Sequence, residues 1–182
     1  MVIGAGQMGN GIAQVAAQAG YTTFMNDISE DLVDRGMAAI AASLDRMVKK
    51  EKITAGDKTA ILGRITPVVT LDPASECDLV IEAVVEKMAV KADIFSALDR
   101  LAPAHAILAS NTSSLPITGI AAHTGRPEKV IGMHFMNPVP AILGVLQDGY
   151  GDPKYRPCPL LKSYVAAGWL GRKTGRGIYE YK

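Results

Sequence analysis

The chain has 182 residues, of which 48% are hydrophobic, and its formal net charge is +1. That length supports a sizeable buried core and lies between one domain and two, and the balanced charge gives no reason to expect nucleic acid or an anionic membrane as a partner. No apolar stretch approaches the length of a membrane span and no leader peptide precedes the first motif, so a cytoplasmic location is expected.

The elements predicted from hydrophobic spacing alternate between strand and helix. The first strand, in "MVIGAG", has only three residues before the first glycine, so either it is short or residues are missing from this end. Helices are predicted over residues 7–19, from Ser29 as N-cap to about residue 50, after Thr54 as N-cap, and over residues 87–101. Strands are predicted in "YTTFMND", "ITPVV", "CDLVIEAVV", "AILAS" and "VIGMHFM". This alternation predicts a doubly wound α/β fold, in which helices cover both faces of a parallel sheet.

The two cysteines are not expected to form a disulfide or a metal site. Cys77 and Cys158 are far apart in the sequence and have no metal-ligand spacing. Cys77 begins an apolar run, which favours a buried free thiol and a reducing compartment.

The glycine-rich stretch "GAGQMG" places Gly4, Gly6 and Gly9 in the pattern G-x-G-x-x-G. The first glycine permits a tight turn, the second lets the backbone approach a pyrophosphate, and the third allows the helix to pack closely on the strand. Alone the pattern is weak, but here it opens a helix and is followed by Asp27 at the end of the next strand. A carboxylate there can bind the adenosine ribose hydroxyls and would repel a 2′-phosphate, which predicts NAD rather than NADP as cofactor.

The stretch "EAVVEKMAVK" allows two interpretations. Acidic residues placed before lysines, as in Glu86 and Lys91, suit the dipole of any exposed helix start. The functional alternative puts this carboxylate and this ammonium at the carboxyl edge of the sheet, where ligands of open α/β sheets bind. Spacing alone favours the first interpretation and leaves the second open.

Two polar clusters follow the last two predicted strands. "ASNTSSLPI" places Asn111 and Ser113 after one strand, and "MHFMNP" places His134 and Asn137 at the end of the next. Because parallel strands end at one edge, both clusters converge on the predicted dinucleotide site. An imidazole there can accept the proton of an alcohol while hydride leaves its carbon, and a serine hydroxyl can hydrogen-bond the same oxygen. The pattern is not that of a serine hydrolase, since Ser113 lies on no nucleophile elbow and no acid is evidently placed to orient His134.

Taken together, these motifs resemble the L-3-hydroxyacyl-CoA dehydrogenase family, and within it the bacterial 3-hydroxybutyryl-CoA dehydrogenases. The resemblance is carried by "VIGAGQMGNGIAQVAAQAG", "SLDRMVKKEK", "VIEAVVEK", "ASNTSSLPIT", "IGMHFMNPVP" and "KYRPCPLLKSYVAAGWLGRKTGRGIYEYK". The first five lie in order up to Pro140, and the last matches the family's C-terminal end. The resemblance implies reversible oxidation of a short-chain L-3-hydroxyacyl-CoA, such as (S)-3-hydroxybutyryl-CoA, by NAD in fatty-acid or butyrate metabolism.

The resemblance also assigns roles to individual residues. Those that would contact the dinucleotide are Gly4, Gly6, Gly9, Asp27, Glu86, Lys91, Asn111, Ser113, Asn137 and Lys173. His134 would be the general base, and Ser113 would also contact the substrate oxygen. Ser43 and Lys50 match positions that contact coenzyme A, where an ammonium facing a phosphate is physically sensible. A homodimer is implied by the resemblance alone.

Within "IGMHFMNPVPAILGVLQDGYG" the chain changes from one part of the family sequence to another. The family has a glutamate twelve residues after the histidine, a position held here by Leu146, and then a mostly helical domain of which roughly a hundred residues are missing. We therefore predict an NAD-binding domain at residues 1–140 and a remnant of an all-α domain at residues 141–182. Either the sequence omits residues that the molecule has, which the intact tail motif favours, or the molecule itself is truncated.

Two other functions stay open. A chain that is complete as written would be a non-catalytic dinucleotide-binding module, because His134 would lack its acid. An enzyme of a neighbouring class, acting on a free hydroxy acid or sugar acid, would share the nucleotide motifs. Competition by free coenzyme A separates such an enzyme from a thioester dehydrogenase.

Overall fold

The structure, a computed structural model, describes residues 1–137. Its strands are β1 (Val2–Ile3), β2 (Thr23–Asn26), β3 (Ile65–Val68), β4 (Leu79–Glu82), β5 (Ile107–Ser110) and β6 (Val130–Gly132), and its α-helices are α1 (Gln7–Gln18), α2 (Glu30–Lys49), α3 (Ala55–Leu62), α4 (Met88–Leu101) and α5 (Ile117–Ala121). The strands form one parallel sheet in the order β3-β2-β1-β4-β5-β6. This order, which reverses at β1, confirms the predicted doubly wound α/β fold. The predicted all-α remnant lies outside the described residues.

The hydrophobic core has two halves, one on each face of the sheet. Successive side chains of a strand point to opposite faces, and Val80 and Ile81 accordingly pack into different halves. One half is formed with the first three helices, through residues that include Ile12, Ile40, Leu44 and Ile61. The other is formed with α4 and α5, through residues that include Phe95, Leu98 and Ile120. Burial on both faces explains why the central strands are short runs of apolar residues.

Two predicted helix starts are confirmed by their hydrogen bonds. The Ser29 hydroxyl accepts a hydrogen bond from the Leu32 amide at the start of α2. Thr54 and Asp57 form a capping box at the start of α3, in which each side chain accepts a hydrogen bond from the other residue's backbone N–H. Local polar residues therefore set where both helices begin.

The strands are shorter in the structure than predicted, and β4 and β6 lose the most residues. β4 does not continue through "AVV", because the Glu82 carboxylate turns back and accepts the Val84 amide. β6 ends two residues before His134, so the prediction that this histidine ends a strand is wrong. The side chain of Asn111 accepts the Phe135 amide there, in place of a carbonyl from a neighbouring strand. Polar side chains thus replace the strand ladder where the loops of the carboxyl edge begin.

The sequence pattern gives no signal for α5 or for two short 3₁₀ helices, Asp72–Glu76 and Pro127–Lys129. α5 has only five residues and its N-cap, Pro116, offers no side-chain hydrogen bond, so neither periodicity nor a capping pattern indicates it. Cys77 is buried with a free thiol, as predicted, and Cys158 lies outside the described residues. None of the described helices combines the length and the apolar character that crossing a membrane requires.

Candidate active site

The turn between β1 and α1 is shaped by three glycines. Gly4 has a φ of +98°, a left-handed conformation that L side chains rarely adopt. A Cβ on Gly9 would lie 1.6 Å from the carbonyl oxygen of Gly4, so only glycine permits this close approach of helix and turn. A Cβ on Gly6, by contrast, would meet no atom within 4 Å. Packing within the protein therefore explains Gly4 and Gly9, whereas Gly6 borders open space from which a ligand can approach the backbone.

The N-terminus of α1 offers backbone N–H donors to an anion in that space. Gly6 is the N-cap residue, and no described side chain caps the first turn. The helix dipole adds a favourable potential for negative charge. Asp27 follows β2 beside this turn, and its Oδ2 accepts the Ala5 amide at 2.8 Å. The open glycine, the uncapped helix start and the neighbouring carboxylate fit the pyrophosphate and a ribose of a dinucleotide.

Two exposed apolar side chains flank the glycine turn at the same edge of the sheet. Ile28 follows β2 and is 88% exposed, and Val85 follows β4 and is 59% exposed. Because β1 lies between β2 and β4, their loops border the turn on both sides. Apolar side chains in these positions suit the faces of an adenine ring.

Ser113 and His134 form the central hydrogen bond of the site. Ser113 lies in the loop after β5 and His134 in the segment after β6, and the Ser113 Oγ is 2.9 Å from the His134 Nε2. Both residues are exposed, so a substrate can reach them. Within residues 1–137 the His134 ring makes no other hydrogen bond. The structure thus brings together the two side chains to which the sequence assigns the chemistry.

Asn111 connects the segment that carries His134 to the sheet. Its side-chain Oδ1 accepts a hydrogen bond from the Phe135 backbone N–H at 2.6 Å, and its backbone N–H donates to the Glu82 carbonyl at 2.8 Å. The resemblance assigns Asn111 to the cofactor, but its side-chain oxygen is occupied by the protein itself. These two hydrogen bonds fix the backbone beside His134 relative to β4 and β5.

Replacing Asn111 with alanine is expected to lower kcat about 10- to 100-fold and to leave the KM for NADH within about twofold, because the segment carrying His134 loses its anchor. Asn111→Asp keeps an acceptor oxygen in the same place and should restore most of the lost kcat. Steady-state kinetics of the two variants measure both effects. A rise in the KM for NADH as large as the fall in kcat would instead assign Asn111 to the cofactor.

A buried ion pair lies at the carboxyl ends of β4 and β5. Glu82 and Lys91 are 0% and 1% exposed, and the Lys91 Nζ is 2.6 Å from the Glu82 Oε1. The same oxygen accepts the Val84 amide at 2.7 Å, and the Glu82 Oε2 accepts the Ser110 hydroxyl at 2.6 Å. These hydrogen bonds and the ion pair offset the desolvation cost of burying the two charged groups. One signal in the sequence points to Glu82: it ends one buried strand, as Ser110 ends the next.

Glu86 joins this ion pair to the loop that carries Ser113. Its Oε2 is 3.3 Å from the Lys91 Nζ, and its Oε1 accepts hydrogen bonds from the hydroxyls of Thr112 and Ser114. Burial opposes ionisation, but the hydroxyl donors and the nearby ammonium outweigh it and lower the pKa of Glu86 to about 2. Glu86 is therefore a carboxylate at neutral pH, held by both neighbours of Ser113.

The remaining predicted site residues have fewer described contacts. Asn137 is exposed at the end of the described part. Ser43 is half-buried on α2. Lys50 is exposed and is the C-cap residue that follows this helix. Lys173, like Leu146, lies outside the described residues. The contacts assigned to these residues with dinucleotide or coenzyme A stay predictions.

Two protein-family models match the sequence. The model described as 3-hydroxyacyl-CoA dehydrogenase, NAD binding domain, matches residues 1–145. The model described as 3-hydroxyacyl-CoA dehydrogenase, C-terminal domain, matches residues 129–181. The first match includes the glycine turn, the Ser113–His134 pair and the buried ion pair.

The chain is also similar to individual proteins. A probable 3-hydroxybutyryl-CoA dehydrogenase of Bacillus subtilis is 36% identical over 277 aligned residues, which span 100% of this chain and 96% of the relative. A 3-hydroxybutyryl-CoA dehydrogenase of Mycobacterium tuberculosis is 47% identical over 142 residues, which cover 78% of this chain and 50% of that protein. The crystal structure of (S)-3-hydroxybutyryl-CoA dehydrogenase from Ralstonia eutropha has a TM-score of 0.77 and 33% identity, covering 100% of this chain and 98% of that one.

The first of these alignments is longer than the chain. It runs over 277 residues whereas this chain has 182, so at least 95 aligned positions have no residue of this chain. The resemblance found in the sequence assigns the missing positions to the stretch after Pro140, and that placement stays a prediction.

Proposed function

Because this chain belongs to the 3-hydroxyacyl-CoA dehydrogenase family, we propose that it oxidises (S)-3-hydroxybutyryl-CoA, or a similar short-chain L-3-hydroxyacyl-CoA, to the 3-oxoacyl-CoA. The reaction is reversible and depends on NAD, the cofactor named by the N-terminal family model. The observation that carries this proposal is the 2.9 Å hydrogen bond between Ser113 and His134, at the sheet edge that also bears the glycine turn. An acid–base pair and a dinucleotide site thus share one edge.

In the oxidative direction His134 acts as the general base. Its imidazole accepts the proton of the substrate's 3-hydroxyl while the hydrogen on the same carbon leaves as hydride. NAD⁺, when bound, supplies the hydride acceptor. Ser113 donates a hydrogen bond to the reacting oxygen and stabilises the negative charge that develops on it. In the reductive direction the protonated imidazole returns the proton to that oxygen.

The dinucleotide would be held by the residues around the glycine turn. Its pyrophosphate would lie over Gly6 at the N-terminus of α1, where backbone donors lack a side-chain cap. Asp27 would bind ribose hydroxyls through the lone pairs left free by its backbone partners. Ile28 and Val85 would border the adenine. The carboxylate of Asp27 would also repel the 2′-phosphate of NADP.

The acyl-CoA part of the proposal is supported by the resemblance at Ser43 and Lys50. Lys50 is exposed at the C-terminal end of α2, beside Lys49 and Lys52, where ammonium groups can meet the phosphates of coenzyme A. A homodimer is part of the same proposal and is also supported by the resemblance.

The proposed function is tested by turnover of acetoacetyl-CoA with NADH, followed by loss of NADH absorbance. We expect competitive inhibition by free coenzyme A. Lys50→Gln should raise the KM for acetoacetyl-CoA roughly five- to tenfold and leave the KM for NADH unchanged, because a charge-assisted phosphate contact is lost. As a control, Lys129→Gln also removes one positive charge. Lys129 directly precedes β6 and so lies at the amino ends of the strands, away from the proposed site, and this variant should change neither KM. Turnover without inhibition by coenzyme A would favour an enzyme of free hydroxy acids.

A non-catalytic dinucleotide-binding module is the second candidate function. It is favoured by the 95 or more aligned positions of the relative that this chain lacks. Within residues 1–137, moreover, no carboxylate hydrogen-bonds the His134 ring. Intact mass and peptide mapping after Pro140 separate the candidates. A protein of 19.2 kDa that binds NADH and does not turn over acetoacetyl-CoA would be such a module.

A further inference from the structure

Within residues 1–137, the charges of the ionised groups next to the Ser113–His134 pair do not sum to zero. Glu82, Glu86 and Lys91 form one cluster, in which the Lys91 Nζ is 2.6 Å from the first carboxylate and 3.3 Å from the second. Two carboxylates and one ammonium leave one negative charge. In the described part of the chain, no second cation forms an ion pair with either carboxylate.

The uncompensated charge lies on the side of the cluster that faces the reaction centre. Lys91 and Glu82 neutralise each other in the interior, where both are almost fully buried. The side chain of Glu86 is 39% exposed and is bound by Thr112 and Ser114, the two neighbours of Ser113. Its lowered pKa keeps it ionised throughout the neutral range. A fixed negative charge is therefore held against the loop that carries Ser113.

The nicotinamide ring changes its charge in the reaction. It is cationic in NAD⁺ and neutral in NADH, whereas the rest of the dinucleotide is the same in both. Hydride transfer requires this ring to touch the carbon whose oxygen is held by Ser113 and His134. A carboxylate several ångströms away attracts the cationic ring of NAD⁺ electrostatically, and it has no such attraction to the neutral ring of NADH. Such a charge therefore changes the relative affinity for the two forms.

We propose that Glu86 is a specificity-determining residue that selects the oxidation state of the bound dinucleotide, favouring NAD⁺ over NADH. The inference rests on the proposed function, because it requires a nicotinamide at this edge. Lys91 has a positioning role: it cancels the charge of Glu82 and holds the second oxygen of Glu86. Thr112 and Ser114 hold the first oxygen.

The test is to measure the dissociation constants of NAD⁺ and NADH for the full chain by titration calorimetry. Glu86→Gln should raise the ratio of the Kd for NAD⁺ to the Kd for NADH roughly three- to tenfold, as expected for a partly screened charge. Glu86→Asp keeps the charge and should keep the ratio within about twofold, even if both constants rise. Asp78→Asn removes the same charge before β4, where Asp78 pairs with His105 at the opposite edge, and should not change the ratio.

The possible outcomes separate the inference from the function on which it rests. If the wild-type chain binds neither form, the proposed function fails and the inference fails with it. If it binds both and Glu86→Gln changes the two constants by the same factor, only the inference is overturned, and Glu86 acts through the shape of the loop. Circular dichroism checks the folding of each variant. Should Glu86→Gln not fold, high salt must raise the Kd ratio of the wild type, and a ratio independent of salt would overturn the inference.

Discussion

Replacing His134 with alanine is expected to reduce the turnover of acetoacetyl-CoA with NADH about 10²- to 10⁴-fold, the usual contribution of a positioned acid–base group. The side chain is exposed and its only partner among the described residues is Ser113. Its removal therefore leaves no buried group unpaired, so stability and NADH affinity should stay close to those of the wild type. Steady-state kinetics and an NADH titration measure the two effects separately.

Two further variants define the role of His134 more sharply. His134→Gln retains a polar side chain that can hydrogen-bond Ser113 but cannot carry the proton, so it should be as inactive as the alanine variant. Ser113→Ala keeps the base and removes one donor to the reacting oxygen, for which a loss of about 10²- to 10³-fold is typical. Turnover by His134→Gln near the wild-type rate would rule out general-base catalysis by this residue. Loss of NADH binding in parallel with turnover would indicate a structural role.

The meeting of Ser113 and His134 could be predicted from the sequence because of a general property of parallel sheets. Each residue follows an apolar run, and parallel strands separated by helical connections end at the same edge. The glycine turn and Asp27 follow the same rule, so the whole edge could be located by counting strands. The exact ends of the strands could not be found in this way. Apolar character continues past Glu82 and Gly132, whereas the strand ladder stops where polar side chains take over the backbone hydrogen bonds.

The polar network at the site could not be predicted, because it depends on tertiary contacts. Glu86 and Lys91 fit the start of any exposed helix, and their spacing alone does not distinguish that case from the observed one. Two tertiary features distinguish the cases. The packing of α4 on the sheet buries Lys91 against Glu82, and the strand register pairs Glu82 with Ser110. The position of Asn111 next to Phe135 likewise follows from the early end of β6.

Replacing Lys91 with methionine is expected to lower the free energy of unfolding by about 3–5 kcal/mol. The substitution keeps the apolar length of the side chain but leaves Glu82, which is 0% exposed, without its cation. A buried carboxylate that loses its partner must bear the desolvation penalty or take up a proton, and both outcomes destabilise the native state. Urea denaturation followed by circular dichroism measures the loss.

Two comparisons identify burial as the cause of this loss. Lys58→Met removes the cation from the pair with Asp45, whose carboxylate is 63% exposed, and should cost no more than about 1 kcal/mol. The double variant Glu82→Gln/Lys91→Met removes both buried charges, and the glutamine side chain can still hydrogen-bond Ser110 and Val84. It should therefore recover part of the stability that Lys91→Met loses. If Lys91→Met were no more costly than Lys58→Met, the ion pair would not be needed to hold the loops of the active site. If the double variant regained stability but not NADH affinity, Lys91 would be needed to position Glu86 and its loop at the cofactor site, and not only to neutralise Glu82.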